Sequence, residues 1–274
     1  MAGCHPEPGV NIVDRNHVTI MGSGPRTLVF AHGFGCDQRV WQRVAPLFAE
    51  QHRVVLFDFV GAGQSDRSAY DSVRYRTLHG YAQDVLEIAA ELDLHRAVFV
   101  GHSVGAMTGL LAAIEAPHRF ERLVLLAPSP RYLNDPPDYI GGFERKDITA
   151  LLDLMDRNFL GWATTFARVA TSNRELASEL ADGFRTIDAR TIREFAEAVF
   201  YSDHRADLAK VHVPCLVVQC ADDDIVPVPV GQYMHRALPD ASYQLLDVSG
   251  HMPHMSNAED VQQLLTDYLA RPRG

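Results

Sequence analysis

The sequence lacks the features that mark membrane proteins and nucleic-acid-binding proteins. No apolar run approaches the ~20 residues that a membrane span needs, and the first 16 residues hold no hydrophobic segment of the signal-peptide type. Only 25 lysines and arginines stand against 35 aspartates and glutamates, so the net charge is −10. We therefore expect neither nucleic acid nor a membrane as a partner.

Cysteine is scarce as well, and no phosphate-binding signature is complete. Cys4, Cys36, Cys215 and Cys220 show neither metal-site spacing nor a disulfide framework, which favours a reducing compartment, the cytoplasm. The glycine-rich stretch at 61–66 lacks the Lys-Ser/Thr of a P-loop and the third glycine of a dinucleotide fingerprint. We interpret it as a turn, and we expect no metal and no cofactor.

Strand patterns alternate with helical patterns over most of the chain. Strands are predicted at 16–20, 27–31, 53–58, 97–100, 122–127, 215–220 and 243–248, and helices at 41–50, 81–92, 106–114, 230–238 and 261–269. Residues 1–15 are interpreted as a loose tail. This alternation predicts an α/β protein with a mostly parallel, twisted sheet that is flanked by helices.

The alternation stops between residues 133 and 205. Four short amphipathic helices are predicted there, over 144–158, 159–170, 174–186 and 188–202. We interpret 133–205 as a helical cap inserted before the next-to-last strand, over the sheet edge where open α/β sheets bind ligands. Residues 1–132 and 206–274 then form the core.

The pattern Gly101-x-Ser103-x-Gly105 separates a buried strand from a helix, as in a nucleophile elbow. The glycines are needed because side chains two positions either side of the serine would collide with neighbouring backbone. The turn also places Ser103 at a helix N-terminus, where free N–H groups stabilise an oxyanion. The alternative is a strand-to-helix turn with an incidental serine.

A nucleophilic serine needs a base, and the base needs an acid that holds its tautomer. Asp223 follows the next-to-last predicted strand, and His251 follows the last one, in the chain order Ser, Asp, His. We therefore assign Ser103 as nucleophile, His251 as base and Asp223 as acid. The alternatives are Asp222 and Asp224 for the acid and His254 for the base.

Two backbone N–H groups are expected to bind the oxyanion. The residue after the nucleophile, Val104, supplies one, and Phe34 in the loop after the second strand supplies the other. His32 and His102 are interpreted as hydrogen-bonding structural residues, and His102 is also counted with the substrate pocket.

The cap is expected to contribute the rest of the pocket. Trp162, Phe166, Phe184 and Val199 lie on predicted cap helices, and the first two are spaced i and i+4 on one face. The alternative is that these side chains only pack the cap helices together.

Longer motifs support a family resemblance from Arg15 to Leu269. They include Arg15-Asn16-His17-Val18, His32-Gly33-Phe34-Gly35-Cys36-Asp37-Gln38 with Trp41, Phe99-Val100-Gly101-His102-Ser103-Val104-Gly105, Ser129-Pro130-Arg131-Tyr132-Leu133-Asn134-Asp135 and Gly250-His251-Met252-Pro253-His254-Met255, with shorter stretches at 57–61, 141–144 and 161–164. With these motifs the chain resembles the α/β-hydrolase superfamily. The branch it resembles holds the bacterial stress-response regulator RsbQ and the plant strigolactone and karrikin receptors, and Gly105 is more like the bacterial regulator.

This resemblance implies an α/β-hydrolase fold with a four-helix lid over a hydrophobic pocket, and Trp162 and Phe166 match pocket positions of the family. It implies slow hydrolysis of a small, mostly apolar ester or a butenolide (enol-ether lactone), coupled to signalling. The alternative implied function is a ligand-sensing module in which hydrolysis is incidental. A signalling protein that docks on the cap, of the phosphatase type in the bacterial case, is the implied partner.

Overall fold

The structure is a computed structural model that describes residues 11–171 and 173–271. In chain order its elements are α1 (Ile12–Arg15), β1 (Thr19–Met21), β2 (Thr27–Ala31), β3 (Arg53–Leu56), α2 (Leu78–Glu91), β4 (Ala97–His102), α3 (Val104–Glu115), β5 (Phe120–Leu126), α4 (Arg145–Arg157), α5 (Phe159–Ala170), α6 (Arg174–Thr186), α7 (Ala189–Phe200), β6 (Cys215–Asp222), α8 (Val228–Ala237), β7 (Ala241–Ser249), α9 (Pro253–Ser256) and α10 (Ala258–Ala270). The predictions that concern residues 1–10, including Cys4, lie outside the described residues.

The strands form a seven-stranded sheet in the order β1-β3-β2-β4-β5-β6-β7. Every neighbouring pair is parallel except β1 and β3, so the predicted mostly parallel sheet is confirmed. All six residues of β4 are buried, because helices cover both faces of the sheet at its centre. The carboxyl end of β4 therefore lies in the middle of the edge at which such sheets bind ligands.

Four consecutive helices, α4 to α7, lie between β5 and β6, so the predicted four-helix insertion is confirmed; we call these helices the cap. The side chains of Asn158, Asn173 and Asp188 accept hydrogen bonds from the first N–H groups of α5, α6 and α7. These N–H groups have no partner within their own helix, so the three N-capping side chains fix where each helix begins.

Two local predictions are wrong. Residues 41–50 do not form a helix but two 3₁₀ turns, Gln38–Trp41 and Ala45–Phe48. Pro46 explains the difference, because a proline inside an α-helix removes a backbone hydrogen bond and collides with the preceding turn. Residues 12–15 are the helix α1 and not a tail, because the Asn11 side chain accepts from the N–H groups of Val13 and Asp14.

The described helices are short compared with a membrane span. The longest helix in the described part of the chain, α2, has 14 residues. None of the helices described is both long enough and apolar enough to span a bilayer.

Candidate active site

Ser103 lies on a strained turn between β4 and α3. Its backbone has φ 53° and ψ −121°, a conformation that residues other than glycine rarely adopt. A Cβ at Gly101 would lie 2.5 Å from the Ala106 backbone, and one at Gly105 would lie 2.4 Å from the His32 carbonyl oxygen. Both glycines are therefore required by close backbone packing, for the reason that the sequence pattern suggested.

The structure brings the three predicted catalytic side chains into one chain of contacts. His251 Nε2 lies 2.9 Å from Ser103 Oγ, and His251 Nδ1 lies 2.8 Å from Asp223 Oδ2. The other carboxylate oxygen, Oδ1, accepts from the N–H groups of Ile225 and Val226 at 2.9 and 3.0 Å. The carboxylate is thus held on both sides, and it places a proton on Nδ1 and leaves Nε2 free to accept the serine proton.

The alternative acid and base residues lie elsewhere. Asp222 and Asp224 are exposed, and Asp222 accepts from the Ser249 hydroxyl at 2.9 Å. His254 is fully buried with its ring 4.4 Å from that of Trp41, and neither of its ring nitrogens has a hydrogen-bond partner among the described residues. Burial lowers the pKa of His254 to about 3. Among the described residues, no hydrogen bond joins Asp222 or Asp224 to the His251 ring, or His254 to the Ser103 hydroxyl.

Backbone contacts hold His251 in place from two sides. Its N–H donates to the carbonyl of Ala170 at the end of α5, at 2.9 Å. Its carbonyl lies 2.8 Å from Nε2 of His102, which must donate because a carbonyl only accepts. Burial, followed by the nearby His254 and His251, lowers the pKa of His102 well below its usual value, so its ring is neutral. His102 therefore supports the loop of His251.

The two predicted oxyanion donors lie next to Ser103. Val104 is the first residue of α3, so its N–H has no partner within the helix. Phe34 lies in the loop after β2, and a Cβ at the preceding Gly33 would be 3.5 Å from Ser103 Cβ. No backbone hydrogen bond among the described residues is donated by Phe34 or Val104. Neither N–H is therefore committed to another backbone group in the described structure.

A narrow cavity of about 20 Å³ lies above Ser103. Its lining consists of Phe34, Cys36, His102, Ser103, Tyr132, Phe166, Ala170, Leu180, Phe184, Val199, Phe200, Ile225, His251 and Met252. Four of the five predicted pocket residues are among them. The fifth, Trp162, is not: it is buried behind Phe166, and the two rings stack with centroids 5.4 Å apart.

The Phe34 side chain joins the oxyanion loop to the cap. Its ring centroid lies 5.8 Å from that of Phe166, 6.2 Å from that of Phe184 and 5.6 Å from that of Phe200. Gly35 permits this approach, because it adopts φ +67° and a Cβ there would lie 1.7 Å from the Phe184 ring. The cavity wall is therefore mainly apolar, with several aromatic rings, and it suits a small apolar group.

Sequence reasoning missed the polar side chain closest to the nucleophile outside the catalytic chain. The hydroxyl of Tyr132 lies 3.3 Å from Ser103 Oγ. Burial, with a smaller contribution from Asp223, raises the pKa of Tyr132 to about 12, so the phenol stays protonated. The available signal was position: Tyr132 follows the carboxyl end of β5, at the edge where ligands bind.

The cavity position of Phe166 leads to a prediction about acyl size. We expect Phe166→Ala to raise kcat/KM for long acyl groups relative to acetyl, because it opens volume above Ser103. The matched control is Phe159→Ala on the same helix, because Phe159 stacks on Trp162 with centroids 5.6 Å apart and does not line the cavity. The measurement is kcat/KM over a series of 4-nitrophenyl esters, with melting temperatures for both variants. If both variants lose ~3–5 kcal/mol of stability and keep the parental preference, Phe166 only packs the cap.

Comparison with known proteins extends these observations. A family model described as the alpha/beta hydrolase fold matches residues 26–258. The chain is 42% identical over 255 residues to a strigolactone esterase of Pisum sativum, and this alignment covers 90% of this chain and 94% of that protein. It is 38% identical over 265 residues to a karrikin insensitive 2 receptor of Petunia hybrida, and that alignment covers 95% of this chain and 98% of the receptor.

A solved structure points the same way. A hydrolase from Oleispira antarctica superposes with a TM-score of 0.94 at 39% sequence identity, covering 96% of this chain and 97% of the other. The predicted fold class is therefore confirmed. On the extent of the family match and the identity to these relatives, the chain belongs to the alpha/beta hydrolase fold family.

Proposed function

We propose that the protein is a serine hydrolase that cleaves a small, mostly apolar ester or a butenolide (enol-ether lactone) through an acyl-enzyme. The observation that carries the proposal is the continuous contact from Ser103 Oγ through the His251 ring to Asp223, at 2.9 and 2.8 Å. Such a chain has the geometry of an activated nucleophile with its base and orienting acid.

The proposed reaction has two halves. Ser103 Oγ attacks the substrate carbonyl carbon while His251 Nε2 takes its proton, and Asp223 stabilises the imidazolium. The N–H groups of Phe34 and Val104 bind the negative oxygen, and the leaving oxygen departs with the proton from His251. A water molecule, deprotonated by His251, then attacks the acyl carbon. The bond from this carbon to Ser103 Oγ breaks, His251 returns the proton to Oγ, and the acid leaves. No step needs a metal or a cofactor.

The cavity and the relatives support the proposed substrate class. Phe34, Phe166, Phe184 and Phe200 give the wall few polar groups, so an acid or a sugar would lose its hydration without compensation. Relatives over 90% or more of the chain carry the names strigolactone esterase and karrikin insensitive receptor. An apolar ester or a butenolide fits both observations.

A second candidate function is a ligand-sensing module in which turnover is slow or incidental. It is favoured by the hydrogen bond from the His251 N–H to the Ala170 carbonyl, because this bond links the catalytic loop directly to a cap helix. We further propose that the chain is more like RsbQ than like the plant receptors of that branch. A phosphatase-type signalling protein is the proposed partner that docks on the cap, and the cytoplasm is the proposed location. The cap is proposed as 133–205, and the core as 1–132 and 206–274.

The test measures turnover and ligand response together. The purified protein is assayed with 4-nitrophenyl esters of increasing acyl length and with a synthetic strigolactone-type butenolide. Hydrolysis with saturable kinetics is the expected result, and no turnover of any of these substrates would contradict the proposal. A kcat far below about one turnover per second, together with a ligand-induced shift in melting temperature, would favour the sensing module.

A further inference from the structure

His32 follows β2 directly and is fully buried beside the site, but the proposed mechanism gives it no role. The N–H of Phe59 points at His32 Nε2 from 3.0 Å, and His32 Nδ1 lies 2.9 Å from the carbonyl oxygen of Gly33. A donor N–H can only meet an unprotonated ring nitrogen, so the proton of the neutral ring is on Nδ1. His32 therefore donates to the Gly33 carbonyl.

The Gly33 carbonyl belongs to the same peptide unit as the Phe34 N–H. The single cis peptide bond among the described residues is Pro136–Pro137, so the Gly33–Phe34 bond is trans. In a planar trans peptide the C=O and the N–H point in opposite directions. A hydrogen bond that fixes the direction of the carbonyl therefore also fixes the direction of the N–H.

The geometry points to His32 as the positioning residue for the oxyanion donor of Phe34. This inference rests on the proposed function, since the Phe34 N–H matters only if an oxyanion forms on Ser103. The Gly33 carbonyl has two donors, His32 Nδ1 at 2.9 Å and the N–H of Cys36 at 3.3 Å. The shorter bond comes from His32, whose ring is itself held by Phe59 through its N–H and through an edge contact at 4.8 Å.

The surroundings keep His32 neutral. Burial lowers the pKa of His32, against the opposing charges of Asp58 and Asp37. The two oxygens of Asp58 accept from the backbone N–H groups of Gln38 and Gln64, both at 2.8 Å, so they are engaged elsewhere. A second proton on Nε2 would face the N–H of Phe59 at 3.0 Å, donor against donor.

The test compares two substitutions that differ in the donor. His32→Leu removes it, and we expect kcat for 4-nitrophenyl acetate to fall about 100-fold with little change in KM, because a misplaced oxyanion donor acts on the transition state. His32→Asn can place an amide N–H near the Nδ1 position, and we expect its kcat to lie within about tenfold of the parent. Affinity for an aryl trifluoromethyl ketone, which adds to serine and forms an oxyanion, should fall in step with kcat.

The matched control is His254→Leu. His254 is also buried, with its ring 4.4 Å from that of His102, but its nitrogens have no hydrogen-bond partner in the described structure. We expect this variant to keep the kcat and the inhibitor affinity of the parent. A merely structural role for His32 would lower the melting temperature of His32→Leu without this joint loss of kcat and inhibitor affinity.

The outcomes separate the inference from the proposed function. A parent protein that hydrolyses no ester overturns the proposed function, and the inference with it. An active parent whose His32→Leu variant keeps kcat and inhibitor affinity overturns the inference alone. If His32→Leu does not fold, ¹⁵N NMR of histidine-labelled parent decides: a proton on Nδ1 of His32 supports the inference, and a proton on Nε2 overturns it.

Discussion

Replacing Ser103 with alanine is expected to abolish ester hydrolysis while the protein stays folded. The proposed acyl intermediate forms on Ser103 Oγ. Among the described residues, this hydroxyl is the one that contacts the base, His251 Nε2, at 2.9 Å. Losing the nucleophile of such a triad costs on the order of 10⁶-fold in kcat. The substitution also removes a buried hydroxyl without adding volume, so the melting temperature should change little.

The measurement pairs steady-state kinetics with covalent labelling. A fluorophosphonate should label the parent at Ser103 alone, as located by peptide mass spectrometry, and should not label Ser103→Ala. The matched control is Ser129→Ala, because Ser129 is also buried and its hydroxyl donates to the Arg131 carbonyl at 2.9 Å, away from the base. Labelling at another serine, or a Ser103→Ala variant as active as the parent, would refute the assignment of the nucleophile.

The sequence was most informative where a residue type has one structural explanation. Gly101 and Gly105 flank a serine between an apolar strand and a helix, and few conformations explain that pattern. The structure accordingly gives Ser103 a positive φ and leaves no room for a Cβ at either glycine. The apolar runs of β2, β4 and β6 were equally readable, because strands buried on both faces have continuous hydrophobic sequences.

The sequence was less informative where side-chain direction decides the outcome. Trp162 and Phe166 share a helix face by spacing, but the ring of Trp162 packs behind that of Phe166 and only the latter reaches the cavity. Tyr132 stood in one of the family motifs but was given no role, since its closeness to Ser103 depends on how the segment after β5 bends back. Spacing fixes a position on an element, whereas rotamers and loop paths depend on tertiary packing.

The three adjacent aspartates after β6 lead to the second large expected effect. Asp223→Asn should lower kcat about 10⁴-fold. In the parent, Oδ1 of Asp223 accepts hydrogen bonds from the backbone N–H groups of Ile225 and Val226. In the variant, the amide oxygen of the asparagine will therefore occupy this position. The amide NH₂ then faces His251 Nδ1 and favours the tautomer with its proton on Nε2. That ring cannot accept the proton of Ser103, and no carboxylate stabilises the imidazolium.

The neighbouring residues supply the controls for this prediction. Asp222→Asn and Asp224→Asn make the same change at exposed positions, and each should keep kcat within about threefold of the parent, because surface substitutions rarely act at a distance. All three variants are compared by kcat with 4-nitrophenyl acetate and by melting temperature. Because Asp223 Oδ2 lies 2.8 Å from His251 Nδ1, we expect the largest loss of kcat in the Asp223→Asn variant. If Asp224→Asn proved the most damaging, the acid of the triad would lie one residue further along the loop, and the tautomer argument would fail with it.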